Sequence, residues 1–343
     1  MAGAQKKARV IEGIAPDQIP FDELFASKQP IILRGLISGW PLVQAGLKSA
    51  ESALDYLTAG YGGKPFKVYV GNSKIKGRFY YNESATSLNY HVKTMSLADV
   101  FASIKESLGR EEHTYYFIPS LVFQDGFPAL ESDNNIVFDH EIFQRVRVTK
   151  KSWIGTESIT GAHFDLPSNF ACCAVGRRRF TLFPPDQVHN LYPGPIHLTP
   201  GGQVTTMVDI RNPDFERYPR FRAALDAAVV ADLEPGDGLY YPSMWWHEVE
   251  SKDRFNAMIN HWWYAAPRYM ADPMDVVMHA ILGLRDRPEI EKQAWRELFD
   301  YYVFGPADKP RAHLPEDAHG VLAELDETMA RRLRAALQQT LNR

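Results

Sequence analysis

Apolar positions recur along this chain with two different periods. Near Ser96–Leu108, the residues Leu97, Val100, Phe101, Ile104 and Leu108 return every three or four positions, the signature of a helix with one buried face. Ser96 followed by Asp99 reads as a variant capping box at its start. A second helix is expected near Glu51–Ala59 and a short one after Pro20, over FDELFASK. The run Ile31–Leu33 reads as a strand, and FKVYVGNSKIKGRFYYN (66–82) as a hairpin with a Gly-Asn turn.

From about Lys151 to Pro267 the texture changes to short strands separated by turn residues. WIGTESITGAHFD, SNFACCAVG, RRRFTLFPP, AVVADLEPGDGLYYP, WWHEVES and FNAMINHWWY are the candidates, divided by Gly176, Pro184–Pro185, Pro235–Gly236 and Pro242. Many short strands with Gly/Pro turns imply a sandwich or closed barrel. The chain returns to helical spacing from about Ala271, where Leu322, Leu325, Met329, Leu333, Leu337 and Leu341 form a stripe and Glu327 precedes Arg331 by one turn. That stripe fits packing on the chain's own core or a dimer interface equally well.

Composition narrows the class. The 343 residues are 45% hydrophobic and 23% charged, an ordinary globular balance. A net charge of -4 supplies no general basic footprint, so nucleic acid is not expected as a partner. Cys172 and Cys173 are adjacent and would point to opposite faces of a strand, which disfavours a disulfide and fits the reducing cytoplasm. No apolar run resembles a signal peptide or reaches the length of a membrane span, so no membrane association is expected. No phosphate-cradling glycine loop is present.

The candidate chemistry lies in Gly161-Ala162-His163-Phe164-Asp165. Alternate residues of a strand share a face, so His163 and Asp165 can aim at one ion while Phe164 points away. His247, in YYPSMWWHEVES, supplies a second imidazole at a strand start. Two imidazoles and one carboxylate leave coordination positions free, the arrangement that suits non-haem iron(II) binding a cosubstrate and dioxygen together. No side-chain general base is assigned beyond this metal centre. Trp153, Trp245, Trp246 and Trp262 are candidates for a dry surround or for ordinary core.

Taken together, TGAHFDLPSNF, GRRRFTLFPPD, LYP, VDIRNPDFERYPRF, LEPGDGLYYPSMWWHEVES and NHWW resemble the JmjC-type and cupin-like 2-oxoglutarate dioxygenases, most of all the branch of the asparaginyl hydroxylase that acts on hypoxia-inducible factor. The resemblance covers about residues 150–265. It implies a mainly β fold with flanking helices: a double-stranded β-helix, or jelly roll, within residues 1–270 (barrel core about 115–265, with N-terminal α/β decoration), and the helical spacing already noted assigns residues 271–343 to a helical region that packs or dimerises. It implies iron(II) at His163, Asp165 and His247, with 2-oxoglutarate and O2 as cosubstrates. It also implies 2-oxoglutarate contacts from Thr160, Asn169, Asn260 and Tyr116, with Tyr115 as the alternative to Tyr116.

At Arg178 the hypoxia-type pattern has Lys. If Phe180 and Leu182 face the interior, period two places Arg178 there with them, where a guanidinium can grip a carboxylate through two parallel hydrogen bonds. Arg177 and Arg179 are expected in solvent. The reaction classes that follow are hydroxylation of a protein or peptide side chain, or of a small molecule, with release of succinate and CO2. N-methyl demethylation by the same chemistry and a non-catalytic cupin-like binding module are the alternatives, and a homodimer through the C-terminal helices is a further possibility.

Overall fold

The computed structural model describes residues 6–341. The first few residues of the N-terminal stretch read for signal features therefore lie outside the described residues. Two compact units are present, one running to Ala265 and the other starting at Ala266.

The first unit is a jelly roll with helices on one side. Its eight barrel strands are β1 (Thr149–Gly155), β2 (Ser158–Phe164), β3 (Ser168–Val175), β4 (Arg178–Phe183), β5 (Val229–Leu233), β6 (Gly238–Tyr241), β7 (Trp246–Ser251) and β8 (Asn256–Trp263). They form two antiparallel runs, β5-β4-β7-β2 and β6-β3-β8-β1. Further strands extend both sheets: Lys6–Lys7 and Arg78–Phe79 flank the first, and Arg9–Ile11, Ile31–Leu33, Tyr115–Val122, Phe66–Gly71 and His91–Met95 continue the second.

Alternation along the strands divides the apolar side chains into two cores. Ala171, Cys173 and Met258 of one sheet meet Phe180, Leu182 and Leu233 of the other inside the barrel. Phe170, Cys172, Ile259 and Trp263 point the other way and are covered by the N-terminal helices. The adjacent cysteines thus belong to different cores, and both are free and buried. The covering helices form where the spacing predicted, at Phe21–Ser27, Ala50–Gly60 and Leu97–Ser107. Leu97, Val100, Phe101 and Ile104 are all buried, each contributing about 1.5–3 kcal/mol. Ser96 does take the N-cap position, but its side chain makes no capping bond.

The expected hairpin over residues 66–82 does not form. Asn72 accepts from Lys74 N and starts a 3-10 turn instead of a two-residue hairpin turn. Gly77, at φ 75°, then turns the chain, and Arg78–Phe79 pairs in parallel with β2. Phe66–Gly71 pairs with His91–Met95 and Tyr115–Val122.

The Pro-Gly-Asp turn between β5 and β6 has a structural use. Asp237 accepts from Gly35 N at 2.9 Å and Glu234 N at 2.8 Å and pairs with Arg34, tying the turn to the chain that leaves Ile31–Leu33. Gly236 sits at φ 105°, a conformation open to glycine.

The second unit contains helices Pro273–Leu284, Glu289–Phe299 and Glu327–Leu341, with a π turn over Asp300–Phe304. The leucine stripe is interrupted, because Leu322 and Leu325 precede the last helix, and Glu327 and Arg331 form no ion pair. No helix among the described residues is long and apolar enough to cross a membrane.

Candidate metal centre

His163, Asp165 and His247 converge at one end of the barrel. One ligating atom from each lies within 4.8 Å of the others, and all three residues are buried. His163 and His247 are direct partners across β2 and β7, with ring centroids 4.4 Å apart. Asp165 follows the last residue of β2. Its carbonyl accepts from Met244 N at 2.9 Å, and Ser243 Oγ donates to Leu166 O at 2.6 Å. The turn that launches β7 is thereby fastened to the end of β2, which sets His247 beside Asp165, with Nε2 and Oδ2 at 3.5 Å.

Both imidazoles are oriented by the main chain. His163 Nδ1 is 3.0 Å from Gly161 O and His247 Nδ1 is 2.9 Å from Trp245 O. A proton on each Nδ1 donates to these carbonyls and leaves the Nε2 lone pairs free for an ion, a common outer-shell arrangement for metal-bound histidine. Burial and the neighbouring His163 hold His247 well below the usual imidazole range, which keeps it neutral. Burial raises the Asp165 carboxyl, opposed by the fields of His163 and Lys151. A dication would offset that desolvation, so this donor set fits a divalent transition metal.

A small cavity of about 100 Å³ runs from these groups to Arg178. Thr160 lines it together with His163, although they stand three residues apart and would face opposite sides of a regular strand. The register supplies the reason: between the His247–His163 and Val249–Thr160 pairs, β2 contains one more residue than β7. This bulge at Gly161–Ala162 rotates the strand so that hydroxyl and imidazole share the interior. A Cβ on Gly161 would come within 2.9 Å of the Thr205 side chain, so the bulge needs the missing side chain as well.

Arg178 is 3% exposed and faces the cavity, as period two predicted. Its Nη2 donates to Trp153 O at 3.2 Å, while among the described residues Nε has no partner and no carboxylate pairs with it. Burial pushes the guanidinium down to about 10. A buried cation with unused donors in a cavity is well suited to an incoming carboxylate. Arg177 and Arg179 lie outside and pair with Asp253 and Asp232.

Asn260 lines the cavity and its Oδ1 has no partner. Asn169, expected beside it, does not line the cavity. Its Nδ2 donates to Pro167 O and its Oδ1 accepts from Asn260 Nδ2, both at 2.9 Å. Both amide ends thus have protein partners, and Asn169 orients the Asn260 amide.

Tyr116 also departs from expectation. Phe117 and Pro119 face the cavity, so Tyr116 points to the opposite side of its strand, where it borders a polar groove with Asn72 and Arg110. Tyr115 does not line the cavity either. The tyrosine that does is Tyr69, stacked on Tyr90 with centroids 4.6 Å apart. Tyr90 in turn donates to Pro200 O at 2.6 Å. Tyr69 was missed because it lies in the segment read as a hairpin, and no local pattern announces that its strand joins the barrel sheet. Of the four candidate tryptophans, Trp153 and Trp262 line the cavity, whereas Trp245 and Trp246 are core.

A family model described as a cupin-like domain matches residues 16–269. The tRNA wybutosine-synthesizing protein 5 of Gallus gallus is 28% identical over 77% of this chain and 79% of its own length. HSPB1-associated protein 1 of Bos taurus is 25% identical over 76% of this chain, and the match spans 53% of that longer protein. Lysine-specific demethylase JMJ31 of Arabidopsis thaliana is 31% identical over 35% of this chain and 21% of its own length.

Proposed function

The chain belongs to the cupin-like domain family, and from that premise we propose that it is an iron(II)- and 2-oxoglutarate-dependent oxygenase that hydroxylates a protein or peptide side chain, or a small molecule. The observation that carries this reading is the shared cavity with His163, Asp165 and His247 at one end and the unpaired guanidinium of Arg178 at the other.

In this reading the three ligands hold iron(II), and Arg178 holds the far carboxylate of 2-oxoglutarate. Thr160 and Asn260 contact the cosubstrate between them. Tyr69 supplies the phenol expected of Tyr116. When bound, iron(II) supplies dioxygen activation coupled to decarboxylation of 2-oxoglutarate to succinate and CO2. Phe79, Phe117, Trp153 and Trp262 make the walls largely apolar, which excludes water and limits side reactions.

The motifs around His163 and His247 support a place near the asparaginyl hydroxylase branch. The relatives' names point to different substrates: tRNA wybutosine synthesis for one, lysine demethylation for another. Chemistry is therefore carried over here and substrate is not. Demethylation of an N-methyl group would proceed by the same hydroxylation and release formaldehyde.

The test is anaerobic addition of iron(II) and 2-oxoglutarate, followed by oxygen. A visible charge-transfer band and then succinate are expected. Absence of both would leave the binding-module reading. We further propose a homodimer through the C-terminal unit, supported by the exposed Val276, Val277, Leu282, Trp295 and Phe304 on its helices. Light scattering giving a monomer mass would refute it.

A further inference from the structure

Lys151 lies beside the cavity and has no carboxylate to neutralise it. It stands on β1, directly opposite Asn260 of β8 and two residues from Trp153, so its side chain shares the inward face with both. Its Nζ donates to Ser120 Oγ at 2.9 Å and sits 4.3 Å from the centroid of the Trp262 ring. Ser120 and Trp262 are both cavity-lining residues. Ser120 is held at φ 51° in the irregular stretch where Tyr115–Val122 slips register against β1. That bulge aims its hydroxyl at the ammonium.

The neighbouring Lys150, on the other face, pairs with Glu131 at 3.3 Å. Lys151 has no such partner among the described residues, and the carboxylate whose field reaches it is Asp165. Resting on the oxygenase reading, Asp165 would be committed to the metal. A formal tally then sets iron(II), Arg178 and Lys151 against Asp165 and the 2-oxoglutarate dianion, which leaves one positive charge over.

We propose that Lys151 determines substrate specificity by binding an anionic group, a carboxylate or phosphate, of the molecule that is oxidised. The ammonium is partly fixed by Ser120 and the Trp262 ring, and it keeps donors free for an oxyanion. A charge-assisted hydrogen bond of this kind gives about a tenfold or larger preference over a neutral analogue.

The test uses the full chain loaded anaerobically with iron(II) and 2-oxoglutarate, titrated separately with acetate, inorganic phosphate and acetamide. Saturable perturbation of the charge-transfer band by acetate or phosphate, and not by acetamide, is expected. The more effective anion tells carboxylate from phosphate. Lys151→Met should weaken the anion by roughly tenfold or more, and Lys151→Arg should retain it within about threefold. An unchanged anion dissociation constant in Lys151→Met overturns the proposal. So does an equal weakening of 2-oxoglutarate itself, which would place Lys151 on the cosubstrate. Absence of the band in the wild type, seen before any anion is added, would instead overturn the oxygenase reading.

Discussion

Asn169 Oδ1 accepts a hydrogen bond from Asn260 Nδ2 at 2.9 Å, so a residue outside the cavity fixes the orientation of one inside it. Asn169→Ala should therefore weaken 2-oxoglutarate binding although Asn169 does not line the cavity. A loss of about 0.5–1.5 kcal/mol is expected, close to that of Asn260→Ala. The double variant should be no worse than Asn260→Ala alone, because the two act through one amide. Additive losses in a binding titration would show that Asn169 acts independently.

On the oxygenase reading, loss of any one of the three candidate ligands should abolish iron(II) binding. His163→Ala, Asp165→Ala and His247→Ala are each expected to lower iron(II) affinity by ~100-fold or more, beyond the effect of disturbing an outer-shell partner. Anaerobic metal titration with elemental analysis measures this. A variant binding iron as the wild type does would remove that residue from the set.

Arg178 links binding to stability with opposite signs. Arg178→Ala should weaken 2-oxoglutarate by about 1.5–3 kcal/mol while leaving iron in place, and Arg178→Lys should recover part of the loss. In the absence of cosubstrate, Arg178→Met should melt higher than the wild type, because it removes a buried cation with no paired carboxylate. Adding 2-oxoglutarate should reverse that order, as ligand binding stabilises only the chain that holds it. Calorimetry with and without cosubstrate reads both effects.

The two candidate tyrosines give a sharp contrast. Tyr69→Phe should raise the 2-oxoglutarate KM several-fold, about 0.5–1.5 kcal/mol for one hydrogen bond, whereas Tyr116→Phe should leave it near the wild-type value. The opposite ranking would return the role to Tyr116.

Asp232 predicts an acid-sensitive contribution on the outer surface of the barrel. Arg179, at 2.6 Å, and Lys7, at 2.8 Å, hold its carboxyl well below the usual carboxylate range, with Lys252 at 3.4 Å. A depressed acid in the folded state stabilises above its unfolded pKa and loses that stabilisation as pH falls through the folded one. Asp232→Asn should thus be destabilising at pH 7, by at most about 1 kcal/mol for a half-exposed network, and the difference should shrink with salt and in strong acid. Denaturant melts at both pH values check it.

Much of the barrel was legible because its signals are local. Gly and Pro punctuate the strands, and alternation alone placed Arg178 inside with Phe180 and Leu182 and divided Cys172 from Cys173. The HxD triplet and His247 stand out by residue type, and the jelly-roll connectivity brings them together. What could not be read depends on register between distant strands. Nothing near Tyr69 indicates that its strand continues the sheet beside Tyr115–Val122. Neither Tyr115 nor Tyr116 lines the cavity, because residues further along the same strand, Phe117, Pro119 and Ser120, occupy that wall. That Asn169 stands behind Asn260 and not on the cavity wall is equally hidden, because residue type and position do not reveal which neighbours an amide bonds.

The supernumerary residue of β2 acts as a phase marker for the metal-centre end of the barrel. Deleting Ala162 would restore regular pairing with β7 and, in doing so, swing either the Thr160 hydroxyl or the His163 imidazole out through the wall of the barrel. A single-residue indel here would therefore disturb the buried barrel wall and the candidate metal centre together. Only through that dislocation can a hydroxyl and an imidazole three places apart on this strand share the interior.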